Sequence, residues 1–172
     1  MELGAFKQNL DWNIRQIAIQ FSQAEKVNGR ARSGFYKAAV ISAASVVEAL
    51  AFKLLETNEK LEMPLGDWLC KDSNFLPLKY ITNDGARLSI CKRTQERFKL
   101  TKNTDFKKVN EVCYKLKLFS QQFFKKIEKI RRLRNKIHIQ GLNIADRSYT
   151  KRELEFISSV MAQLLDKLRL RS

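Results

Sequence analysis

The segment spanning residues 34 to 56, GFYKAAVISAASVVEALAFKLLE, limits the folds open to this chain more than any other. It is rich in Ala and apolar nearly all round. A helix with apolar residues on every side has to be buried, so this one is expected to lie at the centre of the fold. Ser33 is a plausible N-cap residue, and the pattern runs to about Glu56. The longest apolar stretch, Ala38 to Leu55, is interrupted by Ser42, Ser45, Glu48 and Lys53. It therefore reads as the core helix of a soluble protein rather than a membrane span. The N-terminal MELGAFKQNLDW has no apolar run of the secretory kind. Cytoplasmic placement without a membrane is the expectation.

Amphipathic segments flank this core helix. From about Phe6 to Ala31, Leu10, Ile14, Ile17 and Phe21 recur at steps of three and four, which makes one apolar stripe. Asn28-Gly29 marks a break before the core helix. Thr104 or Asp105 can cap a helix running to about Leu118. Ser120 can cap the next, SQQFFKKIEKIRRLRNKIHI, which Gly141 and Asn143 should end. Thr150 followed by Glu153 is a capping box, and it opens a final helix from Lys151 to about Leu170. Pro and Gly are scarce, at 2 and 6, which favours long helices.

Residues 57 to 103 break this pattern and hold both prolines. Asn83-Asp84-Gly85 lies between the short apolar runs LKYI and ARLSI, a signal for a tight hairpin. The expected fold is therefore all-α: an antiparallel bundle of about five helices with a small β-hairpin insertion near residues 76–92. It forms a single domain over 1–172, with the insertion at about 57–103.

Thirty-three Lys and Arg against 18 Asp and Glu leave a net charge of +15. Such a surface attracts polyanions, nucleic acid first and anionic membrane second. The three cysteines, Cys70, Cys91 and Cys113, include no CxxC pair, which disfavours a disulfide framework or a zinc finger. No GxGxxG, P-loop or GxSxG pattern occurs, so neither a nucleotide-binding fold nor a serine hydrolase is expected. No metal or other cofactor is expected.

Chemistry concentrates in KKIEKIRRLRNKIHIQ, which has seven Lys or Arg and the only histidine, His138. On a helix, Ile130, Leu133 and Ile137 fall within about 60° and face the core. Arg131, Arg134, Asn135 and His138 fall within about 100° on a neighbouring stripe, and Arg132 lies roughly 120° from His138. Guanidinium forks bind phosphate oxygens and stabilise developing charge. Imidazole moves protons near neutral pH. In RNA the 2′-hydroxyl is an internal nucleophile, so cations and proton-transfer groups suffice for cleavage. Glu48 is the only acid within Ala38–Leu55; it is expected either to meet a cation, orienting Arg134 or His138, or to mark an exposed edge of the helix.

The segment RRLRNKIH resembles the signature of the HEPN superfamily, in which an Arg is followed by four to six residues, the first of them often Asn, and then a His. The Ala-rich helix is similar to that family's as well. The resemblance covers roughly residues 30 to 60 and 115 to 170. It implies a helical bundle, usually homodimeric, with metal-independent endoribonuclease activity of the kind found in prokaryotic defence and toxin–antitoxin systems. His138 then corresponds to the general acid/base. Arg134-Asn135 matches the Arg-Asn pair, but only three residues separate Arg134 from His138. Arg132 and Arg131 satisfy the spacing, with five and six, so the identity of the motif arginine stays open. Some members carry a Tyr two residues after the His, and here that position is Gln140.

The expected catalytic set is His138, Arg134, Asn135, Arg131 and Arg132, supported by Glu48. Lys125, Lys126, Lys129 and Lys136 are expected RNA contacts, and Lys107-Lys108 and Lys115-Lys117 can extend the track. Expected partners are RNA, a second copy of the chain, and an antitoxin or operon partner protein. The alternative is a non-catalytic HEPN-like module that binds nucleic acid or a partner. Acid and base catalysis wants two proton-transfer groups, and a dimer would supply two copies of His138.

Overall fold

The structure is a computed structural model that describes residues 3–58, 68–70, 91–93, 98–135 and 149–169. Among the described residues there are five helices: α1 (Leu3–Lys26), α2 (Gly29–Glu56), α3 (Phe106–Lys115), α4 (Gln121–Asn135) and α5 (Lys151–Arg169). Two short strands, β1 (Trp68–Cys70) and β2 (Cys91–Arg93), fall between α2 and α3 in the sequence. The chain divides into two compact units. One comprises Met1–Glu59 with Lys102–Ser172, and the other comprises Lys60–Thr101.

The first unit is a helical bundle built around α2. Its neighbours α1, α3, α4 and α5 all pack on α2. Eleven residues of α2 are buried, among them Val40, Val47, Leu50, Leu54 and Leu55. Each such side chain contributes about 1.5–3 kcal/mol when fully removed from water. Among the described helices, only α2 is long and apolar enough to cross a membrane by length and composition.

Capping residues set several boundaries. Asp105 accepts a hydrogen bond from the Lys107 N–H at the start of α3. The Ser120 hydroxyl accepts from the Phe123 N–H at the start of α4. Glu153 accepts from the Thr150 N–H at 3.0 Å and from its hydroxyl, closing the capping box before α5. The start of α2 differs from the expectation. It begins at Gly29, whose φ of +59° lets the chain reverse out of α1. Ser33 lies inside the helix, and its hydroxyl accepts from the Tyr149 N–H at 2.8 Å, ahead of α5.

α1 folds back along α2. Near one end of the pair, the Lys53 ammonium lies 5.8 Å from the Phe6 ring centre. Near the other, Phe21 meets Tyr36 edge-on, and the Tyr36 hydroxyl donates to Glu25.

The expected hairpin near 76–92 requires a correction. In the second unit, β1 pairs antiparallel with β2, with Trp68 opposite Arg93 and Cys70 opposite Cys91. A tight turn at Asp84-Gly85 would have set Leu78 opposite Cys91. Cys70 stands there instead, so the two described strands are not the arms of that hairpin. The Asp-Gly turn itself falls outside the described residues. Strand pairing depends on register between distant segments, and a local turn signal does not determine it.

Candidate functional site

α4 presents three arginines that have three different surroundings. Phe123, Ile127, Ile130 and Leu133 are buried and anchor the helix in the bundle. Around that anchor, Arg132 points well away from the other two, while Arg131 and Arg134, about 60° apart on one stripe, bond to different carboxylates.

Arg134 turns toward α2, where its guanidinium donates to the Glu48 carboxylate. The two residues are 86 positions apart in sequence, and both side chains are half-buried. Burial pushes the Glu48 carboxyl above the ordinary range. Arg134 pulls it back, Asp105 adds to the rise, and the net shift is upward.

Arg131 turns toward α3 and makes three hydrogen bonds of 3.0–3.3 Å to Glu128, one turn earlier on the same helix. Glu128 also accepts from the Asn110 side chain of α3 at 3.1 Å. Asn110 is fully buried, and its amide donates as well to the Phe124 carbonyl at 3.3 Å. Burial pushes Glu128 up, but the bonds from Arg131 and Asn110 outweigh it and hold the carboxyl below the ordinary range.

Arg132 faces solvent. It continues a stripe with Lys125 and Lys129, both exposed, at the i, i+4, i+7 spacing of one helix face. The Lys129 ammonium sits 4.6 Å from the Phe156 ring centre of α5. Lys126 is half-buried and Asn135 exposed. Among the described residues, Arg132 has no ion pair. His138 and Lys136 lie outside the described residues.

Beside the Glu48–Arg134 pair opens a cavity of about 350 Å³, walled by Ser45, Glu48 and Phe52 of α2, Phe6 of α1, and Lys53 and Lys102. Lys53 donates to Glu56 at 2.7 Å. Lys102 is exposed and has no ion-pair partner among the described residues. The cavity is within the size range of small-ligand sites.

No protein-family model, no curated protein and no solved structure matches this chain. The chemistry of the site therefore rests on its own geometry: one arginine pinned by a distant carboxylate, a second pinned locally, and a third open to solvent beside lysines.

Sequence reasoning singled out Glu48 and the three arginines but missed Asn110, Glu128 and the cavity lysines. Glu128 was legible in principle, since it precedes Arg131 by three residues, a helical pairing distance. Asn110 also left a trace, as the one polar residue in the stripe Phe106, Val109, Asn110, Cys113 that α3 buries. Among the described large hydrophobic residues Trp12 stands out, with 63% of its surface exposed. Phe123 is part of the core.

Proposed function

We propose that this protein is a metal-independent endoribonuclease of the HEPN type, acting in prokaryotic defence or a toxin–antitoxin system. In this reading His138 moves the proton between the 2′-hydroxyl of RNA and the site. The 2′-oxygen attacks the adjacent phosphorus, the bond to the 5′-oxygen breaks, and that oxygen leaves with a proton. Arg134 holds the scissile phosphate, with Arg131 or Arg132 as the second cation, and Asn135 orients the site. Lys125, Lys126, Lys129 and Lys136 follow the backbone on either side.

The observation that carries the reading is the bond from Arg134 to Glu48. A guanidinium held by a carboxylate from another helix is preorganised, and preorganised charge stabilises a transition state without reorientation. Arg134 precedes His138 by four residues in the sequence. The chain's +15 charge favours an RNA substrate.

A second reading has its own support. Arg131 and Arg134 already have carboxylate partners, while Arg132, Lys125 and Lys129 are exposed cations of α4 with no ion pair among the described residues. That arrangement suits a module that binds nucleic acid without cutting it.

Purified protein and its His138→Ala variant, incubated with mixed cellular RNA in EDTA, separate the two. Cleavage by wild type that the variant lacks is expected. RNA binding by both proteins, falling steeply with salt and without cleavage, would favour the binding module. Equal cleavage by both would remove His138 from the mechanism.

A further inference from the structure

The cavity on α2 has a wall of mixed character. Ser45, Glu48, Ala49 and Phe52 fall within about 100° of one face of the helix, so their side chains share the opening. Phe6 comes in from α1, and Lys102 from the segment ahead of α3.

Two hydrogen-bond acceptors lie side by side on this wall. The Glu48 carboxylate gives Oε2 to Arg134, and its Oε1 takes no hydrogen bond among the described residues. Ser45, three residues earlier and so a neighbour on the helix surface, donates its hydroxyl proton to the Ile41 carbonyl at 3.1 Å. Its oxygen is left to accept. Next to these acceptors, Ala49 and the rings of Phe52 and Phe6 supply apolar surface. An aromatic face also attracts positive charge, and Phe6 already holds the Lys53 ammonium 5.8 Å from its centre.

We propose that this cavity binds a small organic cation: an amidinium, guanidinium or primary ammonium head on an apolar or aromatic body. The head donates to Glu48 Oε1 and to the Ser45 oxygen, and the body lies against Ala49 and Phe52. A fork of N–H donors on one positive group matches two neighbouring acceptors and strengthens both bonds. The volume of about 350 Å³ is at the small end of ligand sites, which suits a ligand of this size.

The lining argues against an anion. Lys53 is engaged by Glu56 at 2.7 Å. Lys102 is exposed, and an anion drawn to it alone would stay at the mouth. An anion seated against Ser45 would face the Glu48 carboxylate. The cavity differs in this from the chain as a whole: the protein carries +15, while on this wall Glu48 and Glu56 balance Lys53 and Lys102. A strongly positive protein repels small cations in general, so one that it retains needs a local site. The upward shift of the Glu48 carboxyl agrees with this reading, because burial there is met by too few donors and a bound cation supplies another. The site does not depend on the nuclease reading. Its test reads binding alone, and RNA cleavage, present or absent, leaves it unaffected.

Benzamidine, benzamide and benzoate share one shape and carry positive, zero and negative charge. Each is titrated at neutral pH into the intact, isotopically labelled protein and followed by NMR. Benzamidine is expected to bind with a Kd at or below about 1 mM. Benzamide should bind at least about tenfold more weakly, and benzoate should not compete. Glu48→Gln keeps the shape of the side chain, removes its charge, and is expected to weaken benzamidine by about tenfold or more. Ala49→Phe fills the cavity, leaves Glu48 and Arg134 in place, and is expected to abolish binding. Circular dichroism spectra matching wild type show that the variants fold, and Ala49→Phe carries the test if Glu48→Gln does not. No binding of benzamidine at about 10 mM, benzoate binding as tightly as benzamidine, or benzamidine binding unchanged in either folded variant would each overturn the proposal.

Discussion

Arg131 and Arg134 sit three residues apart on α4, and each binds one glutamate, yet the two glutamates are shifted in opposite directions. Glu128 gains three bonds from Arg131 and a fourth from Asn110, enough to overcome its burial and keep it ionised. Glu48 has only Arg134 to offset burial, with Asp105 acting against it, and it rises. The balance between burial and the donors a carboxylate gains, rather than the presence of an arginine, decides whether it holds its charge easily. The locally bonded pair is suited to structure. The pair with the raised carboxyl, at the wall of an open cavity, has the features of a functional site.

The sharpest way to break this contrast is at Asn110. Asn110→Ala removes a fully buried amide, its bond to Glu128 and its bond to the Phe124 carbonyl. It should cost about 2–3 kcal/mol in urea unfolding, and Glu128 should lose part of its downward shift, the rest being held by Arg131. A cost near zero would mean that the amide does not support the α3–α4 contact.

Removing the arginines in turn should give a smaller and unequal effect. Arg134→Ala leaves Glu48 without its only bonded donor and should destabilise by about 1–2 kcal/mol, discounted for its partial exposure. Arg131→Ala leaves Glu128 its Asn110 bond and should cost about 0.5–1 kcal/mol. Equal losses in the same unfolding experiment would erase the distinction drawn between the pairs.

The smallest effect is in the pH dependence. Because Glu48 is raised in the folded state, its contribution to stability is present below the ordinary glutamate range and is lost as pH rises through the folded value. Glu128 is lowered, so its contribution is present above the ordinary range and is lost as pH falls through its folded value. Stability measured against pH should therefore lose slope just above the ordinary range in Glu48→Gln and just below it in Glu128→Gln. Slopes changing in the same window would contradict the opposite shifts.

Much of the bundle was legible because its signals are local. The caps at Asp105, Ser120 and Thr150 use bonds spanning two or three residues, and the apolar stripe Ile127, Ile130, Leu133 needs only helical periodicity. The start of α2 was misread because the Ser33 hydroxyl serves Tyr149, more than a hundred residues away, instead of capping its own helix. The hairpin failed for a similar reason: Cys91 takes its strand partner from Cys70, beyond the turn signal at Asp84-Gly85. At the site, the sequence left Glu48 a choice between Arg134 and His138, and Ala49 and Phe52 on the cavity wall looked like more core.

By itself, then, the sequence determined that the chain is helical, that α2 is central and that α4 concentrates positive charge. These follow from composition and periodicity, which act over a few residues. Only the tertiary structure decided which arginine meets Glu48, which way each carboxylate shifts, and which arc of α2 its neighbours leave open. Those depend on segments far apart in the chain being brought together, and on how much water their packing removes.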